Sequence, residues 1–287
     1  MERAWNIISR VYRIARILSL DILAGVFCGY TFARLIVDSE CPPLTPVILC
    51  LTVWLIYTLD HLMDARTLKE NSIKPVYRWH WDHRSVLRPV LLAVGLVTIG
   101  LSLVYLPTGI LIFGGITGSL VVFYTIAHQG KPGAHRKYMF KEVWISILYT
   151  AGIWGVPLIS KWSIPDISVL LAIVIFLMLV LVNVLLYSLH DYYKDRKESQ
   201  HTLATRFGRE ATSHLLRLLI LSALILILAA FLIPEEQGTG KVYIILLSMT
   251  SVLGLILIFP RFFGRHERFG LLADAVFLLP GLLVWIW

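Results

Sequence analysis

The chain is a succession of apolar runs, each about 20 residues long, and a helix of that length crosses some 30 Å of hydrocarbon. About nine such windows can be drawn, at 15–37, 44–64, 89–107, 109–127, 139–159, 166–190, 211–233, 241–259 and 270–287. Breakers separate them: Cys41-Pro42-Pro43, Pro107-Thr108-Gly109, Gly130-Lys131-Pro132-Gly133, Pro165-Asp166, Pro234-Glu235-Glu236 and Pro260. Lipid offers no hydrogen bonds to a bare backbone, so unbroken apolar runs of this length must satisfy their own amides as helices. Of the 287 residues 57% are hydrophobic and only 15% charged, with a mean hydropathy of +0.76, which no water-soluble domain matches. The expected fold is an all-α membrane protein, a single-domain bundle of about nine transmembrane helices over 1–287.

Charge orients the spans, because loops on the cytoplasmic side collect Lys and Arg. The N-terminal arm carries Arg3, Arg10, Arg13 and Arg16; 65–88 carries Arg66, Lys69, Lys74, Arg78, Arg84 and Arg88. Basic residues recur at Lys131, Arg136 and Lys137, at Lys194, Arg196, Lys197, Arg206 and Arg209, and at Arg261, Arg265 and Arg268. The alternate loops hold little positive charge. This parity predicts a multi-pass protein of the plasma (inner) membrane, its N-terminus cytoplasmic and its C-terminus, anchored by Trp285 and Trp287, outside. The net charge of +8 is then mostly topology, and no basic motif interleaved with aromatics suggests a nucleic-acid partner. The arginines ahead of the first run read as an amphipathic lead-in to a retained span, since no A-x-A-like cleavage site follows and Asp21 interrupts the run. Cys28, Cys41 and Cys50 form no CxxC pair and suit small packed side chains.

Two aspartate pairs, Asp60/Asp64 and Asp191/Asp195, sit at the ends of apolar windows that both run toward the cytoplasmic face. At a helix centre each carboxylate would cost roughly 2.5–3.5 kcal/mol, so compensation is needed. The i, i+4 spacing stacks each pair one turn apart on one helix face, and Asn183, Tyr187, Asp191 and Asp195 continue that face along one window. Either pair alone reads as a solvated helix end. Two pairs at one rim read as hard oxygen ligands for Mg²⁺, which prefers one or two carboxylates plus substrate phosphates. Arg66, Lys74, Lys141 and Arg196 are the candidates to cover phosphate oxygens that the metal leaves free. Together these parts describe a diphosphate site at the mouth of an apolar cavity, as a prenyl diphosphate requires. Tyr57 and Tyr187 read either as interfacial anchors or as contacts to the diphosphate or prenyl chain.

At this point the sequence resembles the UbiA superfamily of intramembrane prenyltransferases. Asp191-Tyr192-Tyr193-Lys194-Asp195-Arg196, with Thr202-Leu203-Ala204-Thr205-Arg206-Phe207-Gly208 downstream, is similar to the family's D-x-x-x-D-R segment and its T-L-x-x-R-x-G. Asp60-x-x-x-Asp64-Ala65 and Lys74-Pro75 resemble the end of its N-D-x-x-D-x-x-x-D run and the basic-Pro pair after it. Tyr124 and the segment Lys141 to Gly155, with Tyr149, Gly152 and Gly155, are also similar. The resemblance implies helices around a central apolar cavity, the first four carrying one aspartate motif and the last five the other. It further implies Mg²⁺ held against an isoprenyl diphosphate by Asp60, Asp64, Asp191 and Asp195, and prenyl transfer to a lipophilic acceptor. Where the family carries Asn-Asp at each motif head, this chain has Ile56-Tyr57 and Tyr187-Ser188. A terpene cyclase on the same scaffold therefore stays open, as does a transporter or lipid-binding protein.

Other residues carry weaker expectations. Tyr77 to Arg84 presents His80 and His83 at i, i+3 and reads as a basic amphipathic surface helix, with metal binding or a cavity cap as the alternative. His128, His135 and His201 fall in inner loops. Asp21 and Asp274, in the first and last windows, are packing contacts or cavity residues. Gly114, Gly115 and Gly118 suggest close helix packing.

Overall fold

The computed structural model describes residues 2–68, 72–129, 140–198, 200–233, 239–264 and 268–282. The breakers at 130–133 and 234–236, His135, Arg265, Trp285 and Trp287 lie outside the described residues, as does the side chain of His128.

Amphipathic α1 (Glu2–Ile17) is a helix of its own. Ser19 takes a left-handed conformation, φ 57° and ψ 23°, which a right-handed helix cannot continue, so the first span, α2 (Leu20–Val37), starts anew at Leu20. The expected window from residue 15 is thus two elements. α2 ends on left-handed Asp38, whose N–H reaches the carbonyls of Arg34 and Leu35. Then come α3 (Thr45–Leu68), the short α4 (Pro75–Asp82) with Pro75 in its first turn, and α5 (Arg84–Tyr105). Only Leu106 and Pro107 separate α5 from α6 (Thr108–Gln129), because Pro107 cannot donate to continue the ladder.

The second half holds α7 (Lys141–Lys161), α8 (Ile167–His190), α9 (Tyr192–Lys197), α10 (Leu203–Phe207), α11 (Arg209–Ala230), α12 (Thr239–Ile258), α13 (Pro260–Phe263) and α14 (Arg268–Ala275). A capping box between Thr202 and Thr205 starts α10, and Gly208, at φ 88°, turns the chain into α11. Among the described residues eight helices, α2, α3, α5, α6, α7, α8, α11 and α12, are long and apolar enough to cross a membrane. The last window differs from the expected ninth span. α14 gives way at Val276 to a 3₁₀ helix, Val276–Leu282, which contains Pro280.

α8 is the axis of the bundle, packed against α7, α11 and α12, with Ile175, Phe176, Leu179, Val182 and Leu185 fully buried. Trp154 of α7 is wedged edge-on between Phe32 of α2 and Phe176, at centroid distances of 5.9 and 6.0 Å. α2 also packs on the terminal 3₁₀ helix, so the first and last elements close the bundle on themselves. The outer faces of α5 and α6 expose Leu96, Leu103, Ile112 and Phe123, the apolar surface that lipid covers. Gly114, Gly115 and Gly118 lie on this open side with no neighbour within 4 Å of where a Cβ would stand, so they do not mediate the close packing expected of them. That task falls to Gly155, pressed against the ring of Phe113, and to Gly29, against Ile153 and Phe176.

Candidate active site at the aspartate rim

α3 runs unbroken through its pair, so Asp60 and Asp64 sit one turn apart on one face. The second pair is built differently from the continuous helix its spacing suggests. α8 stops at His190, Asp191 (φ −87°, ψ 7°) caps it and opens α9, and an Asp195 N–H bond to the Asp191 carbonyl at 2.9 Å preserves the one-turn relation.

Two lysines cross between the motifs. Lys74, at the N-cap of α4, places its ammonium 2.6 Å from Asp195 Oδ1 and 3.7 Å from Asp191 Oδ2. Lys141, the first residue of α7, lies 3.4 Å from Asp60 Oδ2 and 3.7 Å from Asp64 Oδ2. Lys194 adds a 2.8 Å bond to Asp191 Oδ1 from the exposed side. Glu198 anchors the segment that delivers Lys74, its Oε1 accepting from the Ser72 hydroxyl at 2.9 Å and the Ile73 amide at 2.5 Å. Each motif is thus contacted by a lysine that the sequence places far from it, Lys141 on the first pair and Lys74 on the second.

Asp191 and Asp195 respond oppositely to this setting. Burial favours the neutral form of both. At Asp191 the charges of Lys74, Lys194 and Arg16 outweigh burial and hold the carboxyl below its ordinary value. At Asp195, which is 3% exposed, burial prevails over Lys74, helped by repulsion from Asp191 and Glu198, and the pKa rises.

Tyr124 is buried beside Trp144 and within electrostatic reach of Lys141 and Asp60. Arg66 and Arg196 are exposed, and neither pairs with the four aspartates among the described residues; Arg196 instead contacts the Tyr192 hydroxyl at 3.4 Å. Three further residues join the site, of which the sequence reading offered His80 only as the alternative to a surface helix. Tyr77 of α4 reaches Asp64 with its hydroxyl, and His80, only 2% exposed, packs its ring 4.9 Å from that of His61. The face of α4 that bears Tyr77 and His80 is thus turned into the protein, while His83 stacks on Trp79 outside. Glu142, adjacent to Lys141 and 2% exposed, accepts from the Ser188 hydroxyl and the Leu203 amide, both at 2.6 Å, tying α7 to α8 and α10. Glu142 gives no pattern signal alone, because its partners Ser188 and Leu203 are distant in sequence.

Beneath the rim lies a cavity of about 60 Å³, lined by Asp21, Tyr57, Tyr149, Asn183, Asp274 and Phe277 among others. Asn183, Tyr187 and Asp191 follow one another along α8 at steps of four residues, about 6 Å each, so one helix face joins cavity to rim. The Tyr187 hydroxyl is committed to Asp274 Oδ2 at 2.7 Å, which directs it into the cavity wall. α8 thus links the rim to the cavity, whose described lining includes Asn183 but none of the four aspartates.

The fold is shared with solved structures. A UbiA homolog from Archaeoglobus fulgidus bound to DMAPP and Mg²⁺ aligns at 14% identity and a TM-score of 0.60 over 94% of this chain and 98% of that one. The same homolog bound to GPP and Mg²⁺ gives 15% and 0.61 over the same shares. A digeranylgeranylglyceryl phosphate synthase gives 16% and 0.53, covering 95% of this chain and 94% of that one. The sequence matches no protein-family model and no curated protein. The chain has the fold of the UbiA-type membrane proteins.

Proposed function

We propose that this chain is a Mg²⁺-dependent UbiA-type enzyme that ionises an isoprenyl diphosphate at the cytoplasmic rim and transfers the prenyl group to a lipophilic acceptor. The observation that carries the reading is the crossed arrangement of Lys74 and Lys141 on two aspartate pairs. The solved homolog that shares the fold holds a prenyl diphosphate together with Mg²⁺.

The residues fit the metal. Asp64 Oδ2 is buried without a hydrogen bond, and its ion-pair partner Lys141 stands 3.7 Å away. Among the described residues no group of three or more His, Cys, Asp or Glu side chains gathers into a closed cage. Two open carboxylate pairs suit a cation that completes its shell with water and substrate phosphates. Asp60, Asp64, Asp191 and Asp195 are its ligands in this reading, and the bound metal supplies positive charge to the departing diphosphate. Lys74 and Lys141, released from the carboxylates, turn to phosphate oxygens, with Arg66 and Arg196 at the fringe. Tyr57 and Tyr149 line the cavity with Asn183, and their rings, with that of Tyr124 near Lys141, are the candidates to stabilise an allylic cation. Burial of the site keeps water from the cation. α8 passes unbroken from Ile167 to His190, unlike the interrupted helices that carry ligands at mid-membrane in transporters.

Purified protein given diphosphates of several chain lengths, with and without Mg²⁺, tests the reading. Diphosphate release should require the metal, and Asp60→Asn or Asp191→Asn should lower it by about 10²-fold, roughly 2.7 kcal/mol, while the protein stays inserted and monodisperse. Wild-type turnover in both variants would reduce the pairs to solvated helix ends. Tyr57 and Tyr187 at the motif heads favour the second reading, a cyclase, which would turn over fully to a hydrocarbon or terpene alcohol with no acceptor present.

A further inference from the structure

Asp21 of α2 and Asp274 of α14 face one another in the cavity wall, below the rim and apart from the four aspartates. Asp274 is fully engaged on one oxygen: its Oδ2 accepts from the Tyr12 hydroxyl at 2.6 Å and the Tyr187 hydroxyl at 2.7 Å. The Arg16 guanidinium lies 4.8 Å above the Tyr187 ring and brings positive charge to both carboxyls. Asp21 shares a side-chain hydrogen bond with Asp274 and accepts from the Ile22 amide. Its Oδ1 is buried and makes no hydrogen bond, and the same is true of Asn183 Oδ1 in the same wall. Native proteins seldom leave such atoms unpaired, since each forfeits its bonds to water. Both are acceptors, so the molecule that completes this wall brings a hydrogen-bond donor. A prenyl tail has none, whereas a hydroxyl-bearing co-substrate does.

We propose that Asp21 is a catalytic residue that binds the hydroxyl of a lipophilic alcohol or phenol and takes its proton during transfer. The inference rests on the transferase reading above. As the C1–O bond of the prenyl diphosphate breaks, its electron pair leaves with the diphosphate at the rim. A lone pair of the acceptor oxygen forms the new C1–O bond. The electrons of the O–H bond stay on that oxygen, and the proton passes to the Asp21 carboxylate, so an ether, diphosphate and a protonated Asp21 balance the step. Asn183 Oδ1 offers the acceptor a second contact point. Asp274, clamped by Tyr12 and Tyr187, is a positioning residue that fixes where Asp21 stands, and Arg16 offsets the joint negative charge.

The test uses the full chain in nanodiscs with Mg²⁺ and geranyl diphosphate, offered dodecanol, 4-nonylphenol or 1-methoxydodecane. The last has similar length and no O–H. Ether product, diphosphate release and geranyl diphosphate affinity are measured separately. Wild type should form ethers with an O–H probe and none with 1-methoxydodecane. Asp21→Asn should bind geranyl diphosphate as wild type does yet lose ether formation by about 10²-fold or more, with part recovered in Asp21→Glu. Asp274→Asn, which can still accept from both tyrosines, serves if Asp21→Asn fails to fold, and should raise the KM for the alcohol with diphosphate affinity unchanged. Wild-type ether yields in Asp21→Asn overturn the proposal. So does a wild-type enzyme that releases diphosphate but alkylates neither O–H probe. A wild-type protein that neither binds geranyl diphosphate nor releases diphosphate defeats the transferase reading instead.

Discussion

Lys74 follows the first aspartate pair in sequence and holds the second, its ammonium 2.6 Å from Asp195 Oδ1. Lys141 does the converse for the first pair, 3.4 Å from Asp60. Each half of the bundle thus supplies a counter-charge to the motif of the other.

Removing Lys74 leaves Asp195 buried without its closest cation, and a broken buried pair costs about 3 kcal/mol or more. Lys74→Ala is expected to lower the melting midpoint in metal-free detergent solution. Added Mg²⁺ should recover more stability in this variant than in wild type, since the metal then replaces the missing charge. Equal Mg²⁺ stabilisation in both proteins would show that the cation does not bind beside Asp195.

The glycines separate into two groups with opposite expected signs. A Cβ at Gly155 meets the Phe113 ring, so Gly155→Ala should lower the melting midpoint. At Gly115 nothing lies within 4 Å, and Gly115→Ala should be neutral or stabilising by up to about 1 kcal/mol through helix propensity. A loss of stability at Gly115 matching that at Gly155 would contradict the assignment of the open face of α6 to lipid.

His80, outside the membrane spans, is held below the ordinary histidine pKa by burial, with His83 acting in the same direction and the Val76 carbonyl only partly opposing. The folded protein therefore keeps it neutral where the unfolded chain would take up a proton. That stability is intact above the ordinary value of about 6.5 and falls as the pH drops below it, by at most about 1.4 kcal/mol per unit. Melting midpoints between pH 7.5 and 5.5 should decline less in His80→Gln than in wild type. Parallel slopes would assign the acid sensitivity to other groups, His61 foremost, whose ring packs 4.9 Å away.

The rim is expected to face the cytoplasm. In a background lacking Cys28, Cys41 and Cys50, a cysteine replacing exposed Lys197 should resist an impermeant thiol reagent added to sealed cells. A cysteine replacing Trp162, 82% exposed between α7 and α8, should react. The reverse pattern inverts the topology.

Much of the fold was legible because hydropathy and helix breakers act locally: Pro42-Pro43, Pro107 and Pro165 stand between helices as their missing donors require. Ser19 was not, since nothing in Leu18-Ser19-Leu20 marks a left-handed residue. Pro280 lies within the last window, but hydropathy averages over it and hides the change to a 3₁₀ helix. Within the site, the aspartate pairs stood out by their misfit with an apolar chain. Glu198 on Ser72 and Glu142 on Ser188 did not, because contacts across 126 and 46 residues leave no local periodicity.

The hydrogen bond from Tyr12 to Asp274 spans 262 residues, almost the whole chain. Synthesis proceeds from the N-terminus, so α1 and Asp21 reach the bilayer long before α14 emerges. Until then the wall they form has a gap on the side that Asp274 fills, and Asp21 sits in an apolar setting with its counterpart still unmade. A chain stopped ahead of Asp274 carries all eight helices that, among the described residues, are long and apolar enough to cross a membrane, yet Tyr12 and Tyr187 lack their shared acceptor and Asp21 its counterpart.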